Sequence, residues 1–309
     1  MPRAVLLAAI LFAAAASATY WWLTAVPARA AIGAPDRAPD LANGQTVFNA
    51  GGCASCHAVP GQDDRTRLGG GLAIPSPFGT FYAPNISPDP TDGIGRWSEQ
   101  DFVDALTQGV SPAGRHYFPA FPYPAYQHAK ISDIRDLFGY LRTLPAVAGK
   151  VRDHDLPFPF YIRRNVGIWK WLFLDGKPFT PEPSRSAAWN RGAYLVNSLG
   201  HCAECHSPRN FLGGIIEAQR FAGGPNPEGE GWVPNITKRG LADWSAKDIA
   251  YLLESGQTPD GDSVGGSMVR VIRNTSQLSP SDRDAIADYL KSLPPVAGPK
   301  RPIKPLPNG

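Results

Sequence analysis

Hydrophobic and polar positions divide this chain into one unbroken apolar run and a set of short amphipathic segments spaced by long loops. From Ala4 to Val26 no residue carries a charge. At about 1.5 Å per residue, such a run forms a helix long enough to cross a bilayer core of roughly 30 Å. Farther along, Phe102, Ala105 and Leu106, and then Ile249, Leu252 and Leu253, fall at i, i+3 and i+4. That is the period of a helix with one buried face. Ser98 and Ser245 precede these segments as N-caps, and Gly109 and Gly256 follow as helix stops. A closing helix in each half ends in Tyr140-Leu141-Arg142-Thr143-Leu144-Pro145 or in Tyr289-Leu290-Lys291-Ser292-Leu293-Pro294, where proline forbids continuation.

The paired segments belong to an internal repeat. Pro84-Asn85-Ile86-Ser87 matches Pro234-Asn235-Ile236-Thr237, Trp97-Ser98 matches Trp244-Ser245, and Pro112-Ala113-Gly114 matches Pro259-Asp260-Gly261. Trp97 and Trp244 read as packing residues, and the two Asn as turn residues or as supports for a bound group. Between the copies, Phe158-Pro159-Phe160 and Trp169-Lys170-Trp171-Leu172-Phe173-Leu174 are too apolar for a flexible linker. They are expected to pack on the flanking domains, or else on a partner.

Composition sharpens this outline. Gly and Pro, 32 of each, make about a fifth of the 309 residues, against about 12 % in ordinary proteins, so the core must be loop-rich. A 43 % hydrophobic and 18 % charged chain is not disordered wholesale. The single long apolar run excludes a polytopic membrane protein. Net charge is +3 with no Lys/Arg-rich block, which argues against nucleic acid as a partner. At the amino terminus, Arg3 followed by the apolar run fits either an uncleaved anchor or a signal peptide cleaved after Ala30. Tyr20, Trp21 and Trp22 near the far end are interfacial anchors and favour the first. Either way the rest of the chain is exported.

An exported chain would normally spend its cysteines on disulfides. Here all four lie in Cys53-Ala54-Ser55-Cys56-His57 and Cys202-Ala203-Glu204-Cys205-His206. Both are C-x-x-C-H, the c-type haem attachment pattern. Two thiols two residues apart can form thioethers to the vinyl groups of one haem, and the following His supplies the proximal imidazole. A thioredoxin-like redox pair does not require the His. Zinc-binding C-x-x-C pairs usually lie about 15–20 residues apart, much closer than these.

The halves part at the sixth ligand. Apart from Met1, the only methionine is Met268, in Gly265-Gly266-Ser267-Met268 ahead of the closing helix. A Met/His pair raises the potential of a haem, so Met268 is the expected distal ligand of the second haem. The position corresponding to Met268, counted from Pro-x-Gly, is Phe121, which cannot bind iron. His128 is the better-placed ligand candidate for the first haem and His116 the lesser, with another group or an open iron as the remaining options.

With these motifs in place, the chain resembles the cytochrome c subunits of membrane-bound bacterial alcohol, aldehyde and gluconate dehydrogenases, over nearly all residues after about Asp40. The supporting strings are the two C-x-x-C-H frames, Pro84-Asn85-Ile86, Phe118-Pro119-Ala120-Phe121-Pro122-Tyr123, and Trp189-Asn190-Arg191-Gly192-Ala193-Tyr194-Leu195. In that family the first-domain ligand is a Met within or just after the Pro-Ala-x-Pro-Tyr string; here those slots hold Phe121 and Ala129. The resemblance implies an all-α protein of two tandem class I-like cytochrome c domains, with two covalent haem c groups on Cys53/Cys56 and Cys202/Cys205. His57, His206 and Met268 are then iron ligands, and His128 stays the candidate for the sixth position of the first haem, where the chain departs from the family. The expected limits are an anchor or signal over 1–30, domains over 40–146 and 188–295, an aromatic segment over 147–187, and a Pro-rich tail over 296–309. The expected role is single-electron transfer on the periplasmic side of the inner membrane, from a dehydrogenase or quinol donor to the respiratory chain. The alternative is a diheme enzyme, of peroxidase or thiosulfate-oxidising type, working at the first haem.

Overall fold

The structure is a computed structural model and describes residues 3–29, 31–34, 36–229 and 231–301. The tail expected beyond 301 and the cleavage position Ala30 lie outside the described residues. Helix α1, Arg3–Leu23, is the apolar run, and none of its residues is buried. The rest is mostly helical, as expected. In order it contains α2 (Leu41–Ala50), α3 (Cys53–His57), a hairpin of β1 (Ala73–Ser76) and β2 (Gly79–Tyr82), α4 (Glu99–Gln108), α5 (Tyr123–Tyr126) and α6 (Ile131–Leu141). There follow α7 (Val166–Phe173), α8 (Ala187–Tyr194), α9 (Ala203–His206), a hairpin of β3 (Gly224–Pro225) and β4 (Trp232–Val233), α10 (Ala246–Ser255), α11 (Met268–Thr275) and α12 (Pro280–Ser292). The antiparallel hairpins were not foreseen. They pair Ala73 with Tyr82 and Gly224 with Val233 inside the two long loops.

The local causes of the helices repeat between the halves. Ser98 and Ser245 each close a capping box, with Asp101 and Asp248 returning the bond, so the first turn's orphan N–H groups are met. Gly109 (φ +61°) and Gly256 (φ +78°) end these helices in the left-handed conformation that glycine adopts at no steric cost. In each half the helix ahead of the cysteines crosses the closing helix at a glycine. A Cβ on Gly44 of α2 would lie 2.7 Å from the Cβ of Tyr140 on α6, and one on Gly192 of α8 would lie 2.9 Å from the Cβ of Tyr289 on α12. Phe48, Leu137, Phe138, Val196, Ile286 and Leu290 belong to one continuous core behind these crossings. Trp97 and Trp244 pack against the same core, as expected.

The segment between the halves is ordered by both. Thr80 and Asp155 pair through backbone bonds of 2.8 and 2.9 Å. Trp169 Nε1 donates to the Leu212 carbonyl at 2.9 Å. Lys170 enters the first half and donates to the carbonyls of Gln108 and Gly109 at 2.6 and 2.7 Å, capping the carboxyl end of α4.

Candidate haem sites

Each C-x-x-C-H string forms a short helical turn. Residues at i, i+3 and i+4 share one helix face, so the two cysteines and the histidine of each string point to one side. Gly52 (φ +61°) lets the chain turn sharply into the first site. Before the second, α8 runs on into a π-helical turn, Leu195–Leu199, and His201 takes φ +39°.

The two histidines are held identically. His57 Nδ1–H donates to the Pro84 carbonyl at 2.8 Å, and His206 Nδ1–H donates to the Pro234 carbonyl at 2.8 Å. Each bond fixes the tautomer, so the Nε2 lone pair is left for a metal. Burial lowers both imidazole pKa values, which keeps the rings neutral. Behind each carbonyl is an asparagine staple. Asn85 Nδ2 donates to the Val147 carbonyl at 2.6 Å, and Asn235 Nδ2 to that of Val296 at 2.8 Å. Their Oδ1 atoms accept from Ser87 N and Thr237 N, at 2.9 Å each. The open question about the two Asn is thereby answered: both are turn clamps that set the loop carrying the acceptor.

Burial pushes the Cys53 thiol up to about 12 and the Cys202 thiol up to about 11, opposite to the shift a redox nucleophile or a zinc ligand needs. Such cysteines are uncharged, half-buried sulfurs on the same turn as a neutral imidazole. Donor set and orientation fit a covalently attached haem.

The two turns also meet. Gly51, ahead of Cys53, accepts at its carbonyl from Tyr126 Oη at 3.0 Å and from His201 Nε2 at 3.2 Å. Ser55, inside the first string, accepts from Asn274 Nδ2 at 2.6 Å and donates to the Arg270 carbonyl at 3.1 Å. Arg65 donates to Asn274 Oδ1 at 2.9 Å. Asn274 and Arg270 belong to α11, the helix that begins at Met268. Glu228, paired with Arg270 at 2.7 Å, adds to the burial effect in raising the thiols of both Cys56 and Cys205. None of these links was foreseen, because their partners lie far apart in sequence and no local pattern marks them.

The expected sixth ligands are placed as follows. Met268 is half-buried against the core at the start of α11. Phe121 lies in a box of rings, 5.8 Å from Tyr117, 6.1 Å from Tyr123 and 5.9 Å from Tyr126. His128 lies between α5 and α6, and its Nδ1–H donates to the Lys177 carbonyl at 2.5 Å. His116 is buried, and its Nε2–H donates to the Thr24 carbonyl at 3.1 Å. That bond places His116 at the base of α1, with its Nδ1 buried and without a hydrogen-bond partner.

The cytochrome c family pattern matches residues 41–145. A diheme cytochrome c-type protein of Cereibacter sphaeroides is 50 % identical over 259 residues, covering 83 % of this chain and 87 % of the relative. The chain belongs to the diheme cytochrome c family. Such a cytochrome holds two covalent haem c groups, which agrees with its two attachment turns. The cytochrome is also similar to the fructose dehydrogenase cytochrome subunit of Gluconobacter japonicus, at 38 % identity over 84 % of the chain and 54 % of that subunit. With the gluconate 2-dehydrogenase cytochrome c subunit of Pantoea cypripedii it shares 35 % identity over 84 % of the chain and 61 % of that subunit. It thus spans little more than half the length of these two subunits.

Proposed function

We propose that this cytochrome is a membrane-tethered electron carrier on the periplasmic side of the bacterial inner membrane. Residues 40–146 and 188–295 each form a haem domain. Cys53 and Cys56 hold one haem, and Cys202 and Cys205 hold the other. His57 and His206 are the proximal ligands, and Met268 is the distal ligand of the second haem. His128 is assigned to the sixth position of the first haem. Phe121 fills the methionine slot, His116 is packed against the foot of α1 at Thr24, and His128 lies between α5 and α6 with the Lys177 carbonyl holding it in the tautomer that frees Nε2. Electrons enter from a dehydrogenase subunit or a quinol donor and leave one at a time for the respiratory chain. The relatives named as dehydrogenase cytochrome subunits support that partner and favour a carrier over a peroxidase-type enzyme.

The carrying observation is the duplicated bond from His Nδ1–H to a backbone carbonyl, 2.8 Å in both halves, beside two half-buried cysteines. When bound, the haems supply the one-electron chemistry. The chain's own work is to fix two neutral imidazoles, exclude water with apolar loops and choose the axial ligands, which set the potentials. The burial of Thr24, 1 % exposed at the foot of α1, supports retention of α1 as an anchor, since cleavage after Ala30 would strip a buried residue from the fold.

Optical and electron paramagnetic resonance spectra of the purified holoprotein test this reading. Two low-spin haems are expected. Met268→Ala should abolish the methionine–iron charge-transfer band, and His128→Ala should turn the first haem high-spin. A wild-type high-spin haem that binds carbon monoxide would remove His128, and a band that survives Met268→Ala would remove Met268.

A further inference from the structure

Helix α1 does not end in solvent. Its last turn is built into the short 3-10 turn Arg163–Asn165 and the start of α7. Tyr20 Oη donates to Asn165 Oδ1 at 3.0 Å, and Arg164 donates to Thr24 Oγ1 at 2.8 Å and to the Trp21 carbonyl at 3.1 Å. The Arg164 guanidinium sits 3.6 Å from the centre of the Trp21 ring. A Cβ on Gly167 would come within 2.7 Å of Thr24 Cα, so glycine is what lets α7 approach the helix end. These contacts fix the place where α1 leaves the haem-bearing part.

Its length then places the bilayer. The 21 residues of α1 make about 31 Å of helix, the thickness of a hydrocarbon core. The apolar–polar boundary therefore falls at the turn Tyr20–Thr24, and groups packed beside that turn lie at headgroup depth. The residues that flank those groups along the chain are mostly aromatic and uncovered. Trp171, one turn beyond Gly167 on α7, is 67 % exposed, and Leu172 is 48 % exposed. On the other side of the 3-10 turn, Phe158 and Tyr161 are 73 % and 58 % exposed. Arg163 and Arg164 stand between them. Rings beside cations, at the depth where an apolar helix ends, are the composition of a membrane interface.

We infer that the stretch 158–172 is a collar seated on the bilayer surface around the base of α1, with lipid headgroups and upper acyl chains as its occupant. The collar rests on the anchor reading above and extends it: the haem-bearing part meets the membrane with one chosen face and does not swing on a tether. Continuity with α1 commits the patch to lipid, because the junction holds both in one place.

The test uses the full-length holoprotein in nanodiscs of phosphatidylethanolamine and phosphatidylglycerol doped with a diazirine-bearing phospholipid. Cross-linked peptides are mapped by mass spectrometry after illumination. Cross-links on α1 and on the peptide Phe158–Leu172 are expected. A variant with Phe158→Ser, Tyr161→Ser, Trp171→Ser and Leu172→Ser should lose those on the second peptide and keep those on α1, with haem spectra unchanged. Cross-links confined to α1 in the wild type would overturn the collar while the anchor stands, and point to a protein on that face. Absence of cross-links on α1 would overturn the anchor reading itself.

Discussion

Substituting alanine for Gly44 or Gly192 perturbs the two helix crossings in parallel and separates the two haem sites. The new Cβ of Gly44→Ala would sit 2.7 Å from both the Asp136 carbonyl carbon and Tyr140 Cβ. That of Gly192→Ala would sit 2.5 Å from the Ala285 carbonyl carbon and 2.9 Å from Tyr289 Cβ. Carbon atoms pack best at about 3.5–4.0 Å, so each helix pair must part by about 1 Å. Overpacking of this kind costs about 1–3 kcal/mol, and backbone on one side of both contacts puts these sites at the upper end. Alanine's better helix propensity returns about 1 kcal/mol. The net loss is therefore about 2 kcal/mol, which moves a urea midpoint down by about 1 M for a slope near 2 kcal/mol/M. The assay is urea titration followed at two wavelengths, one for the methionine–iron band of the second haem and one for the Soret band of both. Gly192→Ala should lower the midpoint of the methionine band more than Gly44→Ala does, and Gly44→Ala should shift the remaining Soret change more, the bonds between the halves passing on only part of each loss. Equal shifts of both signals by both variants would refute independent haem domains. No shift from either would refute the packing argument.

Three further outcomes follow from the same geometry. Burial lowers the Lys170 ammonium to about 7 from an ordinary 10.5, so above pH 7 the unfolded chain binds the extra proton and stability rises with pH between about 7 and 10; Lys170→Met should flatten that rise in thermal unfolding. Tyr194→Phe removes a hydroxyl that donates to Asp133 at 2.6 Å and accepts from Lys130 N at 3.0 Å. Leaving the buried Asp133 carboxylate without that donor should cost about 1–3 kcal/mol in denaturant unfolding, with haem spectra unchanged. Asn274→Ala cuts the link from Ser55 to the Met268 helix. The methionine band should then be lost at lower denaturant, by about 1–3 kcal/mol, and Asn274→Gln should not restore it because its longer side chain cannot reach Ser55 in the same way.

Much of the fold can be read from the chain because its signals are local. The caps Ser98 and Ser245 and the stops Gly109 and Gly256 act within four residues of themselves, and both pairs form as expected. The attachment strings are equally local, since one helical turn brings two thiols and an imidazole to one face. What escapes is long-range. Asn85 finds its acceptor at Val147, Ser55 finds Asn274, and Lys170 caps α4 from the segment between the halves. Each of these is a polar residue without a periodic neighbourhood, so spacing says nothing about its partner. The short hairpins also escape, because Gly- and Pro-rich loops carry too little alternation to register as strands.

The acceptors that orient His57 and His206 are main-chain carbonyls, of Pro84 and Pro234. A carbonyl cannot be deleted by a point substitution, whatever residue stands there. Heritable variation in imidazole basicity must therefore act at one remove, by shifting the loop. The side chains that hold the loop are Asn85 and Asn235. A lineage exploring new potentials would keep its proximal ligands safe and experiment at those two clamps. Because each histidine has a clamp of its own, one could be varied while the other was kept.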